Sequence, residues 1–297
     1  MRILAHFFDN AAVFPPGNLP LAEALAAHSG HRDGPHGGLV GPLVLAASEL
    51  PEVASLTEGW NAGSLEVALT VGKPGAVGIA LAVADRIPAL VMRAVEVAVP
   101  AEVLVPAVVP TLDAALGYRL GMEVFVELPR DERRDELVAT LSHTAYLAKL
   151  RTGGVRADLY PDEAELAAAI ANTTRAGVPF KATAGLHHAV RNTDPVTGFE
   201  QHGFLNVLTA VAAAQAGADQ AEVASVLAER RGPVVAATVA GLGESAQAAR
   251  EQFRSVGTCS IDEPLTDLAR LDLLDDSHLL AARRGSASPD LPEGIPA

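Results

Sequence analysis

Residues 145–154, AYLAKLRTGG, and 178–188, VPFKATAGLHH, decide the fold. Each is a short apolar run that carries one lysine and then breaks into a glycine- and threonine-bearing loop, the pattern of a strand that ends at a functional edge. The two lysines, Lys149 and Lys181, are 32 residues apart, about one β/α unit. A third run, LEVALTVGKPG, ends at Lys73, and these three are the chain's only lysines among 22 basic residues. Arginine stays charged, whereas a lysine amine can lose its proton and attack a carbonyl carbon. A chain that draws its surface cations from arginine makes the remaining lysines candidates for chemistry.

Working outward, strand-like runs recur at 2–8, 38–46, 64–71, 94–100, 122–129, 145–150, 178–184 and 255–260. Between them lie stretches such as PLAEALAAHSGH, DAALGYRLG, RDELVATLSH, DEAELAAAIANTTRAG and ADQAEVASVLAERR, with apolar residues at three- and four-residue spacing. Eight strands alternating with helices most economically make a (β/α)8 TIM barrel over residues 1–282, with a doubly wound sheet as the rival. Residues 186–253 are long for a single crossover and predict an elaborated segment between strands seven and eight, lying over the mouth or forming a dimer contact. The tail 283–297, RRGSASPDLPEGIPA, has a disordered composition.

Composition narrows the partners. The net charge of −14 disfavours nucleic acid and anionic membranes, while a locally positive pocket still suits a small anionic carbonyl compound. One cysteine, Cys259, excludes an internal disulfide, and no long apolar run or signal peptide is seen, which together predict a cytoplasmic protein.

Two ammonium groups on neighbouring strand ends should disfavour each other's charge and lower the pKa of at least one. The plainer reading is that both pair with carboxylates such as Glu127. Asp9, Glu96 and Glu127 fall on strand runs, where an ionised group needs a partner, and Glu96, between Val95 and Val97, suits proton transfer. Three small-residue turns suit an anion: Arg151, Thr152, Gly153 and Gly154; Gly185; and Gly257, Thr258 and Ser260. His187 is a candidate proton shuttle. His187, His188 and His202 with Glu127 form an alternative divalent-metal set, whereas the lysine reading needs no cofactor.

In chain order these residues resemble the class I deoxyribose-phosphate aldolase group of barrels, as a divergent member. Lys149-Leu-Arg-Thr152-Gly153 is similar to that family's K-x-x-T-G, and Phe180-Lys181-Ala-Thr-Ala-Gly185-Leu to its F-K-x-x-x-G-V. Phe253-Arg254-Ser-Val-Gly257-Thr-Cys-Ser260 resembles its phosphate-binding R-x-G-x-S-S with one residue inserted. Val95-Glu96-Val97, Val126-Glu127 and Phe8-Asp9-Asn10 stand where the family has I-D-M, I-E and I-D-H. The resemblance implies a Schiff-base lyase in which Lys149 forms the imine, Lys181 perturbs it and Glu96 relays protons. Glutamate in place of the relay aspartate, the added Arg151 and histidines, the long 186–253 segment and the lack of a C-terminal tyrosine point to a different substrate. A barrel that binds an anionic metabolite without turnover, and a metal-assisted isomerase or hydrolase, are the rival readings.

Overall fold

The computed structural model describes residues 2–117, 119 and 121–274. Its chain order is β1 (Phe8–Asn10), α1 (Leu21–Asp33), β2 (Val40–Ala46), α2 (Leu50–Leu56), β3 (Leu65–Val71), α3 (Val77–Ala84), β4 (Leu90–Val97), α4 (Val105–Leu116), β5 (Glu123–Glu127), α5 (Arg133–Leu141), β6 (Leu147–Arg151), α6 (Glu163–Arg175) and β7 (Phe180–Thr183). A two-residue hairpin, β8 (Asn192–Thr193) and β9 (Glu200–Gln201), precedes α7 (Phe204–Gln215), α8 (Gln220–Leu227), α9 (Gly232–Gly241) and α10 (Ser245–Gln252). The chain then enters β10 (Phe253–Thr258) and α11 (Asp262–Arg270). Strands β1 to β7 and β10 are parallel and close a barrel in which β10 lies between β7 and β1. The (β/α)8 expectation holds. Among the described residues no helix is long and apolar enough to cross a membrane, and the tail 283–297 lies outside them.

The two-residue period of each strand sorts side chains into two cores. Ala148, Leu150, Phe180, Ala182, Val95, Val97 and Val126 face the helices in the large outer core. Their alternates Ala94, Phe125 and Leu147, with Ala11, Val44 and Ala68, form a small inner cluster along the barrel axis. Lys149 and Lys181 each lie between two residues of the outer core, so both side chains turn inward.

Several boundaries differ from the sequence expectation. Residues 2–8 do not form the first strand: Arg2–Leu4 is a 3-10 turn, His6 adopts a positive φ of 48°, and the strand begins at Phe8. The expected helix around Asp113 begins at Val105, despite Pro106 and Pro110. Its buried face of Val105, Val108, Leu112 and Leu116 repays the hydrogen bond lost at Pro110. The fourth strand starts at Leu90, where Leu90, Val91 and Met92 pair with Leu65, Glu66 and Val67.

The 186–253 segment does not place its helices over the mouth. In α7 every residue from Phe204 to Ala212 is buried, because α6, α8, α9 and α10 all pack around it. It is the barrel's seventh helix, sunk under an added outer layer; its Ala-rich, largely apolar sequence fits that place, and its two buried polar residues, Asn206 and Thr209, are hydrogen-bonded.

Candidate active site at the barrel mouth

Register places the inward residues side by side. Glu127 on β5 lies opposite Lys149 on β6, and Lys149 opposite Lys181 on β7. Lys181 is fully buried, and its Nζ lies 2.5 Å from Asp9 Oδ2 on β1 and 2.5 Å from Glu96 Oε1 on β4. The other oxygen of Glu96, Oε2, is 2.8 Å from Lys149 Nζ, which also lies 3.2 Å from Glu127 Oε2. Arg151 Nε completes the series, donating to Glu127 Oε1 at 2.9 Å. The result is a chain of alternating charge across the barrel: Asp9, Lys181, Glu96, Lys149, Glu127, Arg151. With three carboxylates and three cations it is neutral overall, which is how six ionised groups can share a low-dielectric interior.

Two neighbours tighten the inner end. Ser255 on β10 donates from Oγ to Asp9 Oδ2 at 2.7 Å, and the Lys181 ammonium lies 5.3 Å from the centre of the Phe125 ring. Gly41 on β2 backs Asp9, since a Cβ there would lie 2.2 Å from Asp9 Oδ1. Because Lys181 and Ser255 hold the other oxygen, that carboxylate cannot swing away. Gly41→Ala is therefore expected to lower stability by about 1–3 kcal/mol in urea unfolding. An unchanged midpoint would show that Asp9 is free to move.

The charge pattern decides the protonation states. Burial works against the Lys181 ammonium, but Asp9 and Glu96 outweigh it and raise its pKa above the ordinary lysine value. The expected mutual repulsion of the lysines does not make Lys181 the amine that loses its proton, because Glu96 stands between them. Burial would raise Glu96, yet Lys149 and Lys181 bring it down from 4.5 to about 2. Glu127 is lowered likewise, against burial, by Lys149 and Arg151. For Asp9 burial prevails over Lys181, and its pKa is raised.

Above this chain, at the strand C-termini, opens a cavity of about 400 Å³. Glu96, Glu127, Lys149 and Arg151 lie in its wall with Thr70, Thr183, His187 and Cys259. Phe14, Val44, Val155 and Leu159 supply apolar surface. Lys181 and Asp9 are not among its lining residues, and Lys73 is exposed beyond β3 as the residue preceding a 3-10 turn.

Of the expected anion-binding residues, Arg151, Gly154 and Gly257 line the cavity, whereas Thr152, Gly153, Gly185, Thr258 and Ser260 do not. Packing accounts for most of these. The Thr152 hydroxyl donates to the carbonyls of Thr183 and Ala184, and that of Thr258 to the carbonyl of Ser260. Gly153 and Gly185 cross so closely that a Cβ on Gly153 would lie 2.9 Å from Gly185 Cα, and Gly185 has a φ of +73°.

The histidines diverge. His187 Nδ1 lies 3.5 Å from Cys259 Sγ and 3.4 Å from Glu263 Oε2; burial disfavours its charge, but these two groups raise its pKa to about 10. His188 pairs with Asp267 on α11, and His202 lies against Arg191 and the Pro161 carbonyl. The alternative metal set of His187, His188 and His202 is not brought together. Among the described residues no three His, Cys, Asp or Glu side chains gather as a metal site requires.

Sequence reasoning missed Gly41, Ser255 and Thr70, whereas Thr183 opens the TAGLHH turn, 183–188, expected to hold an anion. A glycine inside a strand run marks a close approach, and Ser255 lies two residues before Gly257 on the same inward face. Those signals were present but not specific.

Fold and site define a parallel (β/α)8 barrel with a buried, alternating ion chain at its C-terminal mouth. No family model and no curated protein sequence matches the chain. Among solved structures it is similar to dihydrodipicolinate synthase from Oceanobacillus iheyensis, at 15% identity and a TM-score of 0.36, covering 95% of this chain and 98% of that one. It is also similar to nitroalkane oxidase from Streptomyces ansochromogenes, at 14% identity and a TM-score of 0.36, covering 94% and 98%. The barrel assignment rests on the chain's own strand order, and neither likeness bears on the chemistry.

Proposed function

We propose that the protein is a lysine-dependent, Schiff-base lyase or aldolase acting on a small carbonyl compound that carries phosphate or carboxylate. One observation carries this reading: among the described lysines, only Lys149 lines the mouth cavity, where it sits between Glu96 and Glu127. The Lys149 ammonium gives up a proton to solvent at the cavity mouth, and the free amine attacks the carbonyl carbon. The carbonyl oxygen leaves as water and a C=N bond remains. When the neighbouring C–C bond breaks, Glu96 or Glu127 takes the proton of the hydroxyl on the departing fragment, which leaves as a carbonyl compound, while the bond's electron pair moves toward the iminium nitrogen and an enamine forms. The same carboxylates return the proton at carbon.

Lys181 acts by position in this scheme. Pinned between Asp9 and Glu96, it holds Glu96 with one oxygen on Lys149. Arg151 and the backbone at Gly154 and Gly257 face the cavity where the substrate's anionic group would lie. The cavity volume suits a small molecule, and the net charge of −14 gives nucleic acid and anionic membranes no attraction.

The test is intact-mass measurement after incubation with small aldehydes and ketones, with and without phosphate or carboxylate, and sodium borohydride. The expected result is a reduced adduct mapped to Lys149, its mass giving the substrate class. A folded protein that forms no adduct with any carbonyl compound would reduce the ion chain to a structural device.

A further inference from the structure

Arg151 has donors to spare. It lies on the same face of β6 as Lys149, with Leu150 between them, and lines the same cavity. Among the described residues only its Nε is hydrogen-bonded, to Glu127 Oε1 at 2.9 Å, and the side chain is partly exposed. The two terminal nitrogens, a planar fork of N–H groups, are left for a ligand. Thr183 stands opposite Arg151 in register on β7, also in the cavity wall, and its hydroxyl has no hydrogen-bond partner among the described residues. Gly257 keeps the space beside that hydroxyl open, since a Cβ there would lie 2.7 Å from Thr183 Oγ1.

Position distinguishes the kind of anion. Glu127 touches both cations with its two oxygens, Lys149 at 3.2 Å and Arg151 at 2.9 Å, so the fork lies one functional group from the amine. Residues i and i+2 of a strand stand about 7 Å apart. A carboxylate bonded directly to the carbonyl carbon fits that interval, whereas a phosphate at the far end of a carbon chain would be carried past it. The small-residue turns suited to phosphate are used in packing: Thr152, Gly153, Gly185, Thr258 and Ser260 do not line the cavity.

We propose that the substrate is a 2-oxo acid, with the imine formed at its carbonyl carbon C2 and its carboxylate held by the Arg151 fork and the Thr183 hydroxyl. The inference rests on the imine reading above and narrows it. The Lys149 amine adds to C2, whose oxygen leaves as water. The C3–C4 bond then breaks: the C4 hydroxyl gives its proton to Glu96 or Glu127, C4 departs as a carbonyl compound, and the electron pair moves through C3 toward the iminium nitrogen. Protonation at C3 and addition of water at C2 return a shorter 2-oxo acid and the free amine. Nothing is oxidised or reduced. Throughout, the carboxylate stays on the side of C2 away from the breaking bond, so one contact can anchor substrate, enamine and product alike.

The test compares three ketones by borohydride trapping mapped to Lys149. Pyruvate carries a carboxylate on its carbonyl carbon, dihydroxyacetone phosphate carries its anion further out, and acetone carries none. Trapping on the exposed Lys73 corrects for the intrinsic reactivity of each ketone. Pyruvate is expected to half-saturate Lys149 at a concentration roughly tenfold or more below that of either other ketone. In Arg151→Gln the pyruvate value should rise by roughly tenfold or more, while the acetone value, which reads imine formation alone, stays where it was. Should that variant not fold, Thr183→Val keeps the shape and removes the hydroxyl, and it should weaken pyruvate in the same direction without moving acetone. An equal change for pyruvate and acetone, no change for either, or a preference for dihydroxyacetone phosphate over pyruvate overturns the carboxylate site and leaves the imine reading in place. Absence of a Lys149 adduct with every carbonyl compound overturns the imine reading, and this inference with it.

Discussion

Replacing Lys149 with arginine is expected to leave the protein folded and to abolish both its borohydride-trapped adduct and its turnover. Arginine keeps the positive charge between Glu96 and Glu127, so the alternating chain stays neutral and neither carboxylate is left buried without a partner. Lys149 also lines the mouth cavity, which gives the longer side chain room. Urea unfolding should change by about 1 kcal/mol or less, the range of a substitution that creates neither a void nor an unpaired charge. A guanidinium cannot form an imine at neutral pH, because it does not release its proton. Turnover of any carbonyl substrate should therefore fall by roughly 10³-fold or more, the scale seen when a covalent nucleophile is removed. Adduct formation in Lys149→Arg equal to that of the unaltered protein would place the reactive amine elsewhere and end the assignment. The charge-keeping substitution is the informative one, since a neutral residue here would mix loss of the nucleophile with loss of the ion chain.

How far the sequence anticipated this arrangement depends on how far apart the interacting residues lie. The barrel was legible because each strand and helix writes its own period, and eight alternations leave few architectures. Adjacent strands were legible too: the 32-residue spacing of Lys149 and Lys181 did place them opposite each other on β6 and β7. The partners from across the barrel were not assigned. Glu96 is 85 positions from Lys181, and Asp9 is 172. Two lysines on neighbouring strands looked like repelling charges until the carboxylate between them was located, and at Lys181 that carboxylate and Asp9 raise the pKa instead. The small-residue turns misled for a related reason. Glycine and threonine serve chain crossings as readily as anions, and in Thr152, Gly153 and Gly185 the crossing of the β6 and β7 loops uses them.

The largest expected effect on stability belongs to Lys181, which touches the substrate cavity nowhere. Lys181→Met fills nearly the same volume, so packing should change little, but Asp9 and Glu96 lose a fully buried ammonium at 2.5 Å. Glu96 retains Lys149, whereas Asp9 keeps only the Ser255 hydroxyl. Removing one member of a buried ion pair costs about 3–5 kcal/mol, and a loss of that size is expected in urea unfolding at neutral pH. The dependence on pH separates this cause from a packing defect. In the unaltered protein Glu96, lowered from 4.5 to about 2, contributes stability that is fully present above its unfolded value and is lost as pH falls through the folded one. Lys181, raised by its partners, contributes stability that is fully present below its unfolded value and is lost only as pH climbs through the folded one. Asp9 has the opposite sign from Glu96, since its pKa is already raised by burial and rises further without Lys181. In Lys181→Met, acidification through the folded pKa of Asp9 lets that carboxyl take a proton, and the uncompensated charge disappears. The stability gap between the variant and the unaltered protein should therefore narrow as pH is lowered through the raised folded pKa of Asp9. A gap that stays constant over that range would mean that Asp9 is not the group left exposed, and that Lys181 serves the core by its shape alone.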